Sequence, residues 1–188
     1  MPIAVTVEYR NETRTKGGFN ALYIALLLLS LHWAVVLYIN SSYLEQFVSS
    51  RVVSILYTVG ALITIAGFLY ASPLLSKIGN LRLSIILTIL EFAALLGMAF
   101  IENVYVAMTL FVLHQAIVPI LLFNLDIFME ELIGEKEEST GGRRGLLLTI
   151  MSITAACASL GMGKLLGTGI PDFTSVYVVS ALILIPFL

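Results

Sequence analysis

Five ionisable residues lie inside the long apolar segments of this 188-residue chain, where formal charge is otherwise rare. They are His32, Glu91, His114, Asp126 and Lys164. An ionised side chain in a bilayer costs about 2.5–3.5 kcal/mol on insertion scales, so such residues usually face a bundle interior or water. Imidazole exchanges protons near neutral pH, and a buried carboxyl can do so as well. These residues therefore suggest proton transfer or polar-substrate binding inside a membrane.

Each of these side chains also has a plain structural role as its alternative. Glu91 is either a proton-carrying carboxylate or a hydrogen-bonded carboxyl between packed helices. His32 and His114 either face a cavity or are neutral imidazoles bonded to a neighbouring helix. Trp33 and Gln115 adjoin the two histidines and are candidate substrate contacts, although lipid contact or core packing is the commoner role of a Trp.

The composition indicates what solvent surrounds the chain. Hydrophobic residues make up 59% of it and charged residues only 12%, whereas a soluble domain is about 25% charged. The basic residues form short clusters without interleaved aromatics, which argues against nucleic-acid binding. Cys157 is the single cysteine, and no local Cys/His spacing is typical of a metal site. The sequence thus predicts a membrane protein and no metal ion or cofactor.

The apolar pattern predicts an all-α membrane fold, because runs such as residues 26–29 do not alternate as barrel strands do. A polar tail at 1–18 precedes six predicted helices. Their approximate bounds are 19–39, 52–71, 83–101, 104–128, 145–169 and 175–188. A hydrocarbon core needs about 20 helical residues. The sixth segment is shorter than that, and we interpret it as truncated.

The distribution of Lys and Arg predicts the orientation. Eight of the ten basic residues lie in the tail, in a tight turn at 72–82 and in a polar loop at 129–144. Alternating spans place these three segments on one side of the membrane, and the positive-inside rule makes that side cytoplasmic. The protein is therefore expected in the plasma (inner) membrane with its N-terminus in the cytoplasm.

Residues 72–82 read Ser-Pro-Leu-Leu-Ser-Lys-Ile-Gly-Asn-Leu-Arg. This turn resembles the motif Gly-x-Leu-x-Asp-Arg/Lys-x-Gly-Arg/Asn-Arg/Lys of the major facilitator superfamily, which lies between the second and third helices of those transporters. The positions that fit are Leu74, Lys77, Gly79 and Asn80, whereas Ser72 and Ser76 replace the first Gly and the Asp, and Arg82 comes one position late.

The resemblance implies a fold and a function. The chain would be the N-terminal six-helix half of a secondary transporter, built from two three-helix inverted repeats. A missing C-terminal half would be its partner, and a small molecule would cross by alternating access. His32 and His114 would lie on cavity-lining helices, and Lys77 would pair with Asp126 to close a cytoplasmic gate.

Two other functions stay open on the residues alone. One is a non-transporting six-helix membrane scaffold or partner subunit. The other is a membrane-embedded enzyme, which is disfavoured because the chain has no H-E-x-x-H, no G-x-S-x-G and no phosphate loop.

Overall fold

The computed structural model describes residues 2–133, 140–165 and 172–187, and within these ranges the chain forms helices and short turns without a strand. The helices are α1 (Pro2–Leu37), α2 (Asn40–Leu44), α3 (Ser50–Leu69), α4 (Ala71–Ile78), α5 (Asn80–Phe100), α6 (Val104–Ile133), α7 (Thr140–Leu165) and α8 (Phe173–Ile183). A single 3₁₀ turn, Ile185–Phe187, follows α8.

The described helices confirm the predicted all-α fold, and their length and composition are those expected of a membrane protein. Five stretches are long and apolar enough to cross a bilayer: Gly17–Leu37, Ser50–Leu69, Asn80–Phe100, Val104–Ile133 and Gly141–Met162. The sixth predicted span corresponds to a shorter apolar segment, Phe173–Phe187. The predicted end of helix five at 169 and the middle of the 129–144 loop lie outside the described residues.

Three segments that the sequence predicted to be a polar tail, a loop and a turn contain helix in the structure. α1 starts at Pro2 and is continuous with the first span, since no proline follows until Pro73 and a proline suits the first helical turn. α2 lies within the predicted 40–51 loop, and α4 occupies most of the predicted 72–82 turn. The turn itself is reduced to Gly79, whose φ of 84° is a conformation that favours glycine.

Four helices form the centre of the bundle. α1 packs against α6, α7 and α8, and α5 packs against α6 and α8, whereas α3 packs mainly against α6. Buried side chains fill the space between them, among them Leu26, Leu29, Leu95, Phe111 and Leu121. Only 17% of the span residues of α3 and α7 are buried, against 39–44% in α1, α5 and α6. α3 and α7 therefore form the outer faces of the described bundle.

Glycines set how closely α3 approaches α6. A Cβ atom added at Gly60 would lie 2.9 Å from the Cβ atom of Gln115, and one at Gly67 would lie 2.7 Å from Ile120 Cδ1. Small residues let membrane helices approach in this way. At Gly161 of α7, by contrast, no described atom lies within 4 Å of an added Cβ atom.

α8 begins at a side-chain cap. The Asp172 carboxylate accepts hydrogen bonds from the Ser175 hydroxyl and, at 3.0 Å, from the Ser175 backbone N–H. These bonds favour the ionised carboxyl and lower the pKa of Asp172. A capped start lets this short helix place its buried residues reproducibly against α1 and α5.

Candidate site at the centre of the bundle

Three ionisable side chains from three spans meet in the interior. His32 of α1, Glu91 of α5 and His114 of α6 are each fully buried. Oε1 of Glu91 lies 3.2 Å from Nε2 of His32 and is hydrogen-bonded to Nδ1 of His114. The two imidazole rings meet edge to face with their centroids 6.0 Å apart. The structure thus gathers three of the predicted pathway residues into one constellation.

Three further polar residues surround this constellation. Oγ of Ser180 lies 2.8 Å from Nδ1 of His32, and Nδ2 of Asn40 lies 3.3 Å from Nε2 of His114. The Tyr177 hydroxyl donates to Oδ1 of Asn40 at 2.9 Å. All three are buried. Sequence reasoning missed them, because Asn40 reads as a loop residue and single Ser and Tyr residues are ordinary in an apolar segment.

The short helix α2 is what places Asn40 in the site. α1 ends at Leu37, and α2 begins three residues later, so the chain turns back over the bundle immediately. Tyr43, on the same short helix, donates its hydroxyl to the carbonyl oxygen of Met98 at 2.8 Å. This bond ties α2 to the last turns of α5, and it holds the Asn40 amide above His114.

Two buried atoms of the site have no hydrogen-bond partner among the described residues. One is Oε2 of Glu91. The other is Nε2 of His32, which is near Glu91 Oε1 but not in hydrogen-bond alignment with it. Buried polar groups are nearly always paired, so an orphaned carboxylate oxygen in an apolar bundle calls for an explanation.

Gln115 and Trp33 do not belong to this constellation. Gln115 faces α3, where it lines an open cavity of about 400 Å³ with Tyr57, Ala61, Thr64, Ile65 and Pro119. Pro119 has no N–H to offer the carbonyl oxygen four residues earlier, and Thr64 Oγ1 lies 3.5 Å from that oxygen. Trp33 is half-buried and, one residue from His32, points to a different side of α1.

The C-terminal end of α6 gives Asp126 a different partner from the one predicted. Arg144 of α7 lies 3.5 Å from the Asp126 carboxylate and is also hydrogen-bonded to Glu130. α6 extends to Ile133, beyond its predicted end at 128, and Arg144 lies in the first turns of α7. Lys77, on the exposed side of α4, is the predicted partner, and the Lys77–Asp126 gate stays a prediction for another conformation.

The remaining residues of the 72–82 motif separate into exposed and packed positions. Leu74 and Arg82 are exposed. Asn80, by contrast, donates its amide to the carbonyl oxygen of Asn124 at 3.0 Å, and Asn124 donates to Ser84 Oγ at 3.1 Å. This part of the motif therefore links the start of α5 to α6.

Comparison of the chain with protein-family models, with curated proteins and with solved structures found no match. The central constellation offers two imidazoles, one carboxylate and an orphaned carboxylate oxygen in a region closed to water. Such a set can bind a cation or a polar group of a ligand, and its position between several spans makes it the candidate functional site.

Proposed function

We propose that this protein is a secondary transporter and that the described helices form one half of its transport unit. The observation that carries the proposal is the buried His32–Glu91–His114 constellation between α1, α5 and α6. Ionisable residues deep in apolar spans are rare and are a recognised mark of substrate and ion pathways. The resemblance of residues 72–82 to the major facilitator superfamily points the same way.

The packing of the helices supports a repeated architecture. Six of the helices form two triplets in which α1 corresponds to α6, α3 to α7 and α5 to α8. Under this exchange the α1–α7 packing corresponds to the α6–α3 packing, and the α5–α6 packing corresponds to the α8–α1 packing. The α5–α8 and α1–α6 contacts map onto themselves. Each triplet therefore uses its middle helix to cover the first helix of the other triplet, as an inverted repeat requires.

The hydrogen bonds of the two histidines follow the same exchange. His32 on α1 uses Nδ1 to contact Ser180 of α8, and His114 on α6 uses Nδ1 to contact Glu91 of α5. The two imidazoles are thus equivalent in the helices that they link and differ only in the partner. Transporters with repeats place their substrate sites at such a repeat interface near the middle of the bilayer.

The outer faces of α3 and α7 leave room for a second half. Both carry rows of exposed hydroxyl residues, namely Ser54 and Thr58 on α3 and Thr149, Ser152 and Ser159 on α7. Each hydroxyl donates to the backbone carbonyl four residues earlier. Such residues are typical of membrane-helix surfaces that face other helices or a water-filled cavity rather than lipid, and a cavity between two halves would keep this row in contact with water.

The alternative is a non-transporting six-helix scaffold or partner subunit. It is favoured by the closed state of the centre, where His32, Glu91 and His114 are all fully buried. A scaffold needs no opening of this site, whereas alternating access requires each side of the membrane to reach it in turn.

Thiol accessibility in native membranes tests the proposal. Cysteine is introduced at Ser152 or at Leu160, both exposed on α7, in a Cys157→Ser background. A transporter predicts that Ser152→Cys, on the hydroxyl row, reacts with a water-soluble thiol reagent, and that Leu160→Cys does not. Sequencing the gene beyond the codon for Leu188 is a second test, because the transporter proposal predicts six further apolar spans there. Equal protection of both cysteines, or a stop codon directly after Leu188, would support the scaffold instead.

A further inference from the structure

The hydrogen atoms of the site can be assigned by following its donors. The Ser180 hydroxyl donates to the carbonyl oxygen of His32 at 3.0 Å. A hydroxyl has one hydrogen, so when that hydrogen is directed to the carbonyl oxygen, Ser180 Oγ accepts from Nδ1 of His32, 2.8 Å away. In this tautomer Nδ1 of His32 carries the ring hydrogen. In a neutral ring this leaves Nε2 with its lone pair directed towards the carboxylate of Glu91.

In this tautomer no hydrogen atom lies between the lone pair of His32 Nε2 and the carboxylate of Glu91. Nε2 of His32 and Oε1 of Glu91 are 3.2 Å apart, and neither supplies a hydrogen to the other when the ring is neutral and the carboxylate is ionised. Oε2 of Glu91 has no partner in the part of the chain that the structure describes. Several lone pairs thus converge on one closed region, which is the arrangement that a bound cation resolves.

We propose that His32, Glu91 and His114 form a binding site for one divalent transition-metal ion. One ligand atom from each residue lies within 4.8 Å of the other two. Two imidazoles and one carboxylate are a set used for Zn²⁺ and Fe²⁺, with further coordination positions open. Metal–ligand bonds of about 2.0–2.2 Å require ligand atoms about 3.4 Å apart at tetrahedral angles. Reaching that separation would require the His114–Glu91 hydrogen bond to open and the two ring nitrogens, which lie within 4.8 Å of each other, to adjust.

The surrounding residues fit this role. A histidine that binds a metal usually donates its other ring N–H to a protein acceptor, as His32 does to Ser180. For His114, the group in the equivalent place is Asn40, whose amide nitrogen lies 3.3 Å from Nε2 and as placed is a donor. Turning this amide by 180° presents its oxygen to Nε2 and its NH₂ to the Tyr177 hydroxyl, which can accept. Nδ1 of His114 is then free to bind the metal.

The ligand types also indicate which ions are excluded. Mg²⁺ and Ca²⁺ prefer sites made only of oxygen atoms, whereas imidazole suits zinc, cobalt, nickel and iron. Sequence spacing predicted no metal site here, because the three ligands come from distant helices and follow no local motif. The proposal concerns binding alone and does not depend on transport.

Equilibrium binding of Zn²⁺ and Co²⁺ tests the proposal. The chain has only two histidines and one cysteine, so imidazole ligation reports on this site alone when the purification tag contains no histidine. The metal-stripped protein in detergent is dialysed against Zn²⁺, and the bound metal is counted. We expect one ion per chain, and with Co²⁺ a visible spectrum that indicates nitrogen and oxygen ligands.

Variants separate this site from surface binding. His32→Gln and Glu91→Gln should each weaken Zn²⁺ binding by about 100-fold or more, and Ser180→Ala by about 10-fold through loss of ring orientation. Cys157→Ser and Glu130→Gln, which change exposed residues, are the matched controls and should bind as the unmodified chain does. Circular dichroism and gel filtration check that each variant folds.

A second measurement needs no variant. Co²⁺ added to the unmodified protein should shift or broaden the ring signals of both histidines in the nuclear magnetic resonance spectrum, because both would be ligands. Absence of bound metal, unchanged affinity in a folded Glu91→Gln protein, or undisturbed histidine signals would overturn the proposal. Any of these results would show that His32, Glu91 and His114 do not together bind a divalent metal ion.

Discussion

Nδ1 of His32 lies 2.8 Å from Oγ of Ser180, so one hydrogen bond joins α1 to α8 across 148 residues of the chain. The Ser180 hydroxyl donates in turn to the carbonyl oxygen of His32. This reciprocal pair fixes the orientation of the imidazole and holds the short α8 against α1. The candidate site and the packing of the bundle therefore depend on the same contact.

Replacing Ser180 tests that contact. Ser180→Ala removes the acceptor of the His32 N–H and leaves a buried donor without its partner, so the free energy of unfolding should fall by about 1 kcal/mol. Thermal or denaturant unfolding in detergent measures the change. Ser159→Ala is the control, since its exposed hydroxyl bonds only to its own helix, and its effect should stay within about 0.5 kcal/mol. Equal losses in the two variants would contradict a special role for Ser180.

Gly60 should tolerate no side chain at the α3–α6 contact. The Cβ atom of Gly60→Ala would lie 2.9 Å from the Cβ atom of Gln115, which is fixed to the α6 backbone and cannot turn away. We expect a loss of about 1–3 kcal/mol in unfolding free energy, measured in detergent. Gly161→Ala is the matched change on α7, where the new methyl group meets open space. A larger loss for Gly161→Ala than for Gly60→Ala would refute the described packing.

The membrane orientation follows from the basic residues and can be measured by labelling. In a Cys157→Ser background, Ser42→Cys and Ser76→Cys each place one exposed cysteine in a connection between spans. The positive-inside rule predicts that an impermeant thiol reagent labels residue 42 in intact cells and residue 76 only after the membrane is permeabilised. The reverse pattern would invert the topology, and labelling of both from outside would reject it.

The adjoining ends of α6 and α7 should be coupled weakly. Asp126 and Arg144 are about half exposed and 3.5 Å apart, so a double-mutant cycle of Asp126→Asn with Arg144→Gln should give less than about 1 kcal/mol, decreasing with salt. The same cycle with Lys77→Gln should be additive in this conformation. Coupling of Asp126 to Lys77 but not to Arg144 would instead support the gate predicted from sequence.

The sequence by itself determined the apolar, all-α character of the chain and the positions of most of its long helices. Apolar runs such as 52–71 and 83–101 need helices of bilayer length wherever they pack, because backbone amides in lipid must be paired within the segment. Their observed helices, Ser50–Leu69 and Asn80–Phe100, differ by a few residues at each end. The polar segments were less predictable, since α2 and α4 are short helices that contacts with other elements help to hold.

The composition of the site was decided partly by sequence and partly by tertiary structure. The cost of charge in an apolar span singled out His32, Glu91 and His114 one at a time. Only the packing of α1, α5 and α6 brought them together, and only α2 and α8 added Asn40 and Ser180. The helix packing also directs Gln115 towards α3, whereas the adjacent His114 faces the centre of the bundle. The physical reason is that adjacent residues differ by about 100° around a helix, so which of them meets a distant partner depends on how each helix is rotated in the bundle.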